Sequence, residues 1–375
     1  MAIYWIISYT ILVFCVFELA AINQLREVKT RSMVNYLFFI FTVLLICFAG
    51  MRGPGSGIDD WQYLGFFHDL ANQVHISDFS TVAQIYRYEN FFTLLAGLLS
   101  LFTKESYYFL LFVAIVAVST NAWCYKKYSP LILCSLCLYS THLFINKDMN
   151  QIRFGLCSAF AIASILLAVN RKFIWSAVML VLSTQSHSTG YALVMVIPFL
   201  FLPQRKYWPL LMVFLAIPLG FIGGKKLFLD SLGIVPVVGD RATSYVGTTF
   251  DNNSPVISLA NLKNIAFIVF FMVVYWGKNA IQKEDRLPYL LLIAYAIGAA
   301  VRMVFSDFAI LGGRVGNLFL HAEPLLLALL MMRIRNLALN VALLGGMATY
   351  YLAYNTILSP QSVTGWSLAA VYRLF

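Results

Sequence analysis

Arg52, Asp59, Arg153, His187, Arg241 and Arg314 are the side chains whose types and placement could carry a reaction in this chain. Each stands at or just beyond the end of an apolar run, where a helix leaving a membrane would reach water. An arginine at membrane depth costs about 2.5–3.5 kcal/mol on insertion scales, so several gathered at one level call for a common partner. A phosphate or diphosphate is such a partner, because the guanidinium fork matches its oxygens through charge-assisted hydrogen bonds. Taken singly, each arginine also has a simpler reading. It snorkels to the interface or pairs with a nearby carboxylate, Arg153 with Asp148 and Arg314 with Asp307, and the loop residue Arg241 suits that reading best.

His187 sits in SHSTG with no other titratable group beside it. A histidine, with a reference pKa of about 6.5, is the natural base for a hydroxyl near neutral pH, and the alternative is a helix-end histidine satisfied by a backbone carbonyl. His68, His75, His142 and His321 lack this context and read as structural. In MRGPGSGIDDWQY, residues 51–63, the glycines Gly53, Gly55 and Gly57 could let backbone N–H groups approach an anion. Asp59 and Asp60 could hold a sugar hydroxyl or cap the helix that starts there. Glu89 and Glu323 read as partners of an arginine or as helix caps. No GK[ST] follows the glycines, and no His/Cys/Asp cluster has metal-ligand spacing, so neither a nucleotide loop nor a metal is expected. No cofactor is called for.

The elements that must position these groups are membrane helices. The chain is 61% hydrophobic and 11% charged over 375 residues, outside the balance of a soluble domain. Apolar runs of about 15–20 residues point to an all-α, polytopic protein rather than a barrel. The net charge of +10 is spread over short loops, as positive-inside topology requires, and does not imply nucleic acid. The six cysteines fall within or at the ends of apolar runs and read as small core residues. Arg26, Lys29 and Arg31 put the first loop in the cytoplasm; Lys126 and Lys127, Arg171 and Lys172, Arg205 and Lys206, Lys278, Lys283 and Arg286, and Arg333 and Arg335 mark later inner loops. The result is a single transmembrane domain over 1–375, about twelve spans with both termini outside, and outer polar loops at 52–88 and 223–261. Residues 90–102 are too short for a span and are expected to re-enter or half insert. In the loop before them, Trp61, Leu64, Phe67 and Leu70 recur at helical spacing, which predicts a helix lying along the membrane surface. With this topology all six chemistry-bearing residues fall on the outer side.

RGPGSGIDDWQY after the second span, QIRFGL opening a later one, SHSTGYAL at the head of another, and GGRVGNLF followed by Glu323 together resemble the EpsG-like branch of the Wzy-type polysaccharide polymerases. The resemblance runs through nearly the whole chain in order and spacing. It implies a GT-C-like lipid-substrate glycosyltransferase of the bacterial inner membrane, with its active site facing the periplasm or cell exterior. Such an enzyme moves a growing glycan from undecaprenyl diphosphate onto another lipid-linked repeat unit, in O-antigen, capsule or exopolysaccharide polymerisation. Its partners would be the lipid-linked oligosaccharide, membrane lipid and a chain-length regulator. By position Arg52, Arg153 and Arg314 match the arginines of those motifs and His187 the histidine; with Arg241 added from its outer placement, the expected diphosphate set is Arg52, Arg153, Arg314 and Arg241, with His187 or Asp59 as catalytic base. The doubled aspartate before Trp61 departs from the single Asp followed by Tyr of that pattern. A flippase for the same lipid-linked glycan would need cations at several depths and internal repeats, neither of which is present. An O-antigen ligase shares the donor chemistry.

Overall fold

The computed structural model describes residues 2–22, 27–73, 78–225, 228, 246–248, 253–277, 281–334, 336–358 and 372. Arg241, His75, most of the 223–261 loop and the loop cations Arg26, Lys278 and Arg335 lie outside the described residues. The protein is all-helical and built to pass the membrane many times. Among the described residues seven helices are long and apolar enough to cross, and five shorter apolar helices of 10–17 residues accompany them.

In chain order the helices are α1 (Ala2–Ala20), α2 (Val28–Gly50), α3 (Asp60–Ala71), α4 (Asp78–Tyr86), α5 (Asn90–Ser100), α6 (Tyr107–Tyr128) and α7 (Ile132–Leu138). A wide π-helical stretch, Tyr139–Asp148, continues α7, and α8 (Ile152–Val169) and α9 (Phe173–Ser186) follow. After a 3₁₀ stretch at Ser188–Val196 come α10 (Ile197–Phe201), α11 (Tyr207–Ile222), α12 (Leu259–Tyr275), α13 (Arg286–Val304), α14 (Ala309–Phe319), α15 (Glu323–Arg333) and α16 (Leu337–Ala353). Helix starts carry the expected signals: Ser258 accepts from Asn261 N ahead of α12, and Asn336 accepts from Leu339 N ahead of α16. α6 ends on Lys126 and Lys127, where the helix dipole favours cations.

The chain divides into two compact units. One comprises Met1–Ala163, Val181–His187 and Leu327–Phe375; the other comprises Ser164–Leu180 and Ser188–Leu326. In the first, α2 packs on α6, α1 on α7 and α16, and α3 on α4, α5 and α6. Gly50 lets α2 meet the α6 backbone: a Cβ there would lie 2.6 Å from Leu111 Cα. In the second, α13 is the central helix, contacted by α11, α12 and α14. Gly298 and Gly316 meet where α13 crosses α14, a close approach of the kind small residues permit between membrane helices.

Two expectations meet the coordinates directly. α5 has 11 residues, about 16 Å of helix, half the roughly 30 Å hydrocarbon thickness, in keeping with a segment that does not cross. The helix at residue 60 exists, but Trp61 does not share the buried side of its three expected companions. Leu64, Phe67 and Leu70 are buried in the first unit whereas Trp61 is 68% exposed. Steps of three fall short of a 3.6-residue turn, so the stripe drifts and Trp61 ends on the side opposite Leu70.

Candidate functional site

The segment Asn146–Cys157, from the end of the π-helical stretch into α8, is where the first unit gathers its polar groups. The wide turn and the non-helical step at Met149–Gln151 point successive side chains in different directions. Asp148 and Asn150 meet the 52–60 loop, Arg153 meets the start of α5, and Phe154 and Cys157 meet the end of α9.

Arg52 is fully buried. Its Nε and Nη2 donate to Asp60 Oδ1 at 3.1 and 2.8 Å, and its Nη1 donates to the carbonyls of Ala49 and, at 3.4 Å, Asp148. Asp60 Oδ2 in turn accepts from Gly57 N at 2.5 Å, and Ile58 N donates to Asn150 Oδ1 at 3.0 Å. Two of the three glycines have a stated reason. Gly55 takes φ +84°, and a Cβ on Gly57 would strike the Met149 carbonyl. The loop is therefore a closed clasp around a buried ion pair. The guanidinium expected to reach a diphosphate is committed to protein acceptors, and Asp60 takes the charge.

Asp59 is left half-buried at the start of α3 without a side-chain capping bond. It lies within electrostatic reach of Tyr88, as do Tyr63 and Arg153. Arg153, in the first turn of α8, donates from Nη1 to Glu89 Oε2 at 2.7 Å, and its guanidinium carbon stands 4.1 Å from the centroid of the Tyr88 ring. The expected pairing of Glu89 with an arginine is present, and the partner of Arg153 is Glu89 rather than Asp148. Arg153 Nε and the Tyr88 hydroxyl are buried donors without a hydrogen-bond partner among the described residues. Burial pushes the Tyr88 phenol well above its ordinary range, so it stays a donor. Rings of Tyr63, Phe66 and Phe92, all within 6.1 Å of Tyr88 between centroids, make an apolar wall behind this pair.

His187, 6% exposed, closes α9 and sets its ring edge-to-face on Phe154 at 5.7 Å, while its carbonyl accepts from Cys157 Sγ at 3.7 Å. Ser183 Oγ, one turn earlier, bonds the Cys157 carbonyl at 2.9 Å and pins α9 to α8. The residue that holds His187 is thus the immediate neighbour of Arg153.

The sequence reading missed Lys147. It is buried, donates to Ser158 Oγ at 2.9 Å and stands 4.8 Å from the Phe154 ring centroid. Its neighbour Asp148 accepts from the Tyr139 hydroxyl at 2.8 Å. The adjacent Lys-Asp between two apolar runs was the available signal. Of the expected residues, Arg52, Asp59, Arg153 and His187 belong to the first unit, and Arg314, half-buried on α14, belongs to the second. Asp307 accepts from Gly224 N and Lys225 N at 3.0–3.1 Å. Glu323 pairs with Lys263 at 2.9 Å. All six cysteines are free, five buried and Cys47 exposed.

Residues 35–372 match the EpsG family. The amylovoran biosynthesis protein AmsC of Erwinia amylovora is 67% identical over 375 residues, covering all of this chain and all of that protein. No solved structure matches.

Proposed function

The chain belongs to the EpsG family, and we propose on that premise that it is an exopolysaccharide polymerase, a membrane glycosyltransferase that joins lipid-linked repeat units. The growing glycan leaves an undecaprenyl diphosphate carrier and is transferred to a hydroxyl of a second lipid-linked unit, at the periplasmic face of the inner membrane. The acceptor oxygen bonds to the anomeric carbon as the bond from that carbon to the diphosphate oxygen breaks. The hydroxyl proton passes to His187 or Asp59, and the electron pair leaves with the diphosphate.

The observation that carries this reading is the Arg153 cluster. A guanidinium held by Glu89 and backed by Tyr88 keeps Nε available beside a phenol that also has a donor available. Fixed donors of this kind stabilise charge that grows on a leaving diphosphate more than they stabilise the ground state. Arg314, and Arg241 in the loop before α12, are the further arginines assigned to the diphosphates. Arg52 holds the loop that carries Asp59. A chain-length regulator is the protein partner this chemistry fits.

The test is purified full-length protein in detergent with a lipid-linked repeat unit. A ladder of multiples is expected. Movement of the substrate across a membrane without a ladder would overturn the reading in favour of a flippase.

A further inference from the structure

Within the second unit, the end of α10, the loop after it and the first turns of α13 border a cavity of about 310 Å³. Phe199, Leu200, Leu202 and Leu290 supply its apolar lining, and Gln204 and Arg286 are among its polar groups. Arg205 N donates to the Tyr289 hydroxyl at 3.4 Å and ties the loop to α13. Arg286 is the first residue of α13, the end of a helix dipole that disfavours a cation. Positive-inside topology accounts for a charge in this loop, but not for how the side chain is set.

The Nε–Nη2 edge of a guanidinium is the one that meets two oxygens of an anion in parallel. On Arg286 that edge has one long contact, 3.5 Å from Nη2 to the Leu200 carbonyl, and Nε is a buried donor without a hydrogen-bond partner among the described residues. Among those residues Arg286 forms no ion pair. The adjacent carboxylate, Asp285, is engaged in a cap, its Oδ2 accepting from Gln282 N at 3.1 Å. Gln204 Oε1 is a buried acceptor, likewise without a partner among the described residues. Each such orphaned group costs about 1–3 kcal/mol, so a donor and an acceptor left at one cavity call for a ligand that carries both functions in a small group. The volume is at the small end of the roughly 300–1,000 Å³ of ligand sites, enough for a headgroup and too little for a chain. Beside the cavity, Tyr207, Leu210, Leu211 and Phe214 make an exposed apolar stripe along α11 at helical spacing, and Phe201 is exposed at the end of α10.

We propose that this cavity holds the headgroup of phosphatidylglycerol, its phosphodiester on the Nε–Nη2 edge of Arg286 and a glycerol hydroxyl donating to Gln204 Oε1. Nε is covered from solvent, so a turn of the flexible arginine side chain exchanges the Leu200 carbonyl for phosphate oxygens and brings the edge to the cavity. The acyl chains lie along the exposed stripe of α11. A basic pocket between helices at the level of the loop cations is the setting in which anionic headgroups bind, and the proposed orientation puts that level on the cytoplasmic side. The site uses none of the residues assigned to glycan transfer and stands or falls independently of that reaction.

The experiment is titration of delipidated full-length protein in a neutral detergent with dioleoyl phosphatidylglycerol, the bound lipids counted by native mass spectrometry. One saturable lipid is expected for the wild type. Arg286→Gln weakens it by roughly tenfold or more, as loss of a charge-assisted bond requires. Lys172→Gln, which removes an exposed cation outside the cavity, leaves it unchanged. Phosphatidylmethanol, with the same charge and no hydroxyl, binds the wild type more weakly than phosphatidylglycerol, and Gln204→Leu abolishes that difference. Arg286→Gln breaks only the long contact to Leu200 and is expected to melt with the wild type; if it melts lower, Gln204→Leu, which removes an unpartnered acceptor, reads the site by itself. Unaltered binding in a normally melting Arg286→Gln, or an equal loss in Lys172→Gln, overturns the site. Equal affinity of the wild type for the two lipids overturns the glycerol contact, and inorganic phosphate displacing the lipid at equal concentration overturns the assignment to a lipid headgroup.

Discussion

Two arginines with the same kind of sequence context, each at the end of an apolar run, have opposite surroundings. Arg52 directs four guanidinium hydrogens to Asp60 and two carbonyls, whereas Arg153 shares one edge with Glu89 and keeps Nε without a partner among the described residues. They should therefore fail differently when mutated. Arg52→Met strands Asp60 in the interior and is expected to cost about 3–5 kcal/mol of stability, the range for removing one partner of a buried pair, seen as a lowered melting temperature in detergent. Arg153→Ala leaves the largely buried Glu89 unpaired and should lower the melting temperature by less than Arg52→Met does, while turnover falls by about 10² to 10³, as for loss of a preorganised donor. Lysine at 153 keeps charge but not the fork and should rescue poorly. Equal melting losses for both positions would remove the distinction. Residue types were legible in the sequence, but partners were not. Asp60 and Asp59 are adjacent and chemically identical, and only the folded loop decides which one faces the guanidinium. Lys263 escaped notice because a lone lysine in an apolar helix reads as a snorkelling end group until Glu323, sixty residues on, is seen beside it.

Helix boundaries were largely readable, since apolar run length and basic loops fix where spans can lie. What the pattern could not give was the π-helical stretch at Tyr139–Asp148, whose extra residue per turn is invisible to a 3.6-residue periodicity. That stretch aims Lys147 and Asp148 into the first unit and lets Met149 approach the 52–60 loop. The consequence can be tested at Gly57, where Ala would drive a methyl into the Met149 carbonyl. Gly57→Ala is expected to lose about 1–3 kcal/mol and to lower activity with it, because the loop that carries Asp59 must shift. Gly346→Ala, where an added methyl meets nothing within 4 Å, serves as the control. If both variants melt together with the wild type, the loop is not the close-packed clasp described above.

For the molecule as a whole, the proposed orientation makes a direct prediction. In a cysteine-free background, Trp61→Cys should react with a membrane-impermeant thiol reagent applied from the periplasmic side, since Trp61 is 68% exposed. Lys172→Cys, also exposed and assigned to an inner loop, should react only after the membrane is opened. The reverse pattern would invert the topology and put the Arg153 cluster on the cytoplasmic side. The clasp adds a constraint of a different kind, on the order of events during synthesis. Arg52 and the Asp148 carbonyl it bonds are 96 residues apart. At roughly 5–20 residues per second, the ribosome needs on the order of 5–20 s to supply that second half. For that interval Arg52 has only Asp60 and the end of its own helix as partners, so the first two spans must be inserted and held before the loop between them and α5 can close. A nascent chain halted ahead of Asp148 should leave the 52–60 loop open to protease, and one halted well beyond Cys157 should protect it.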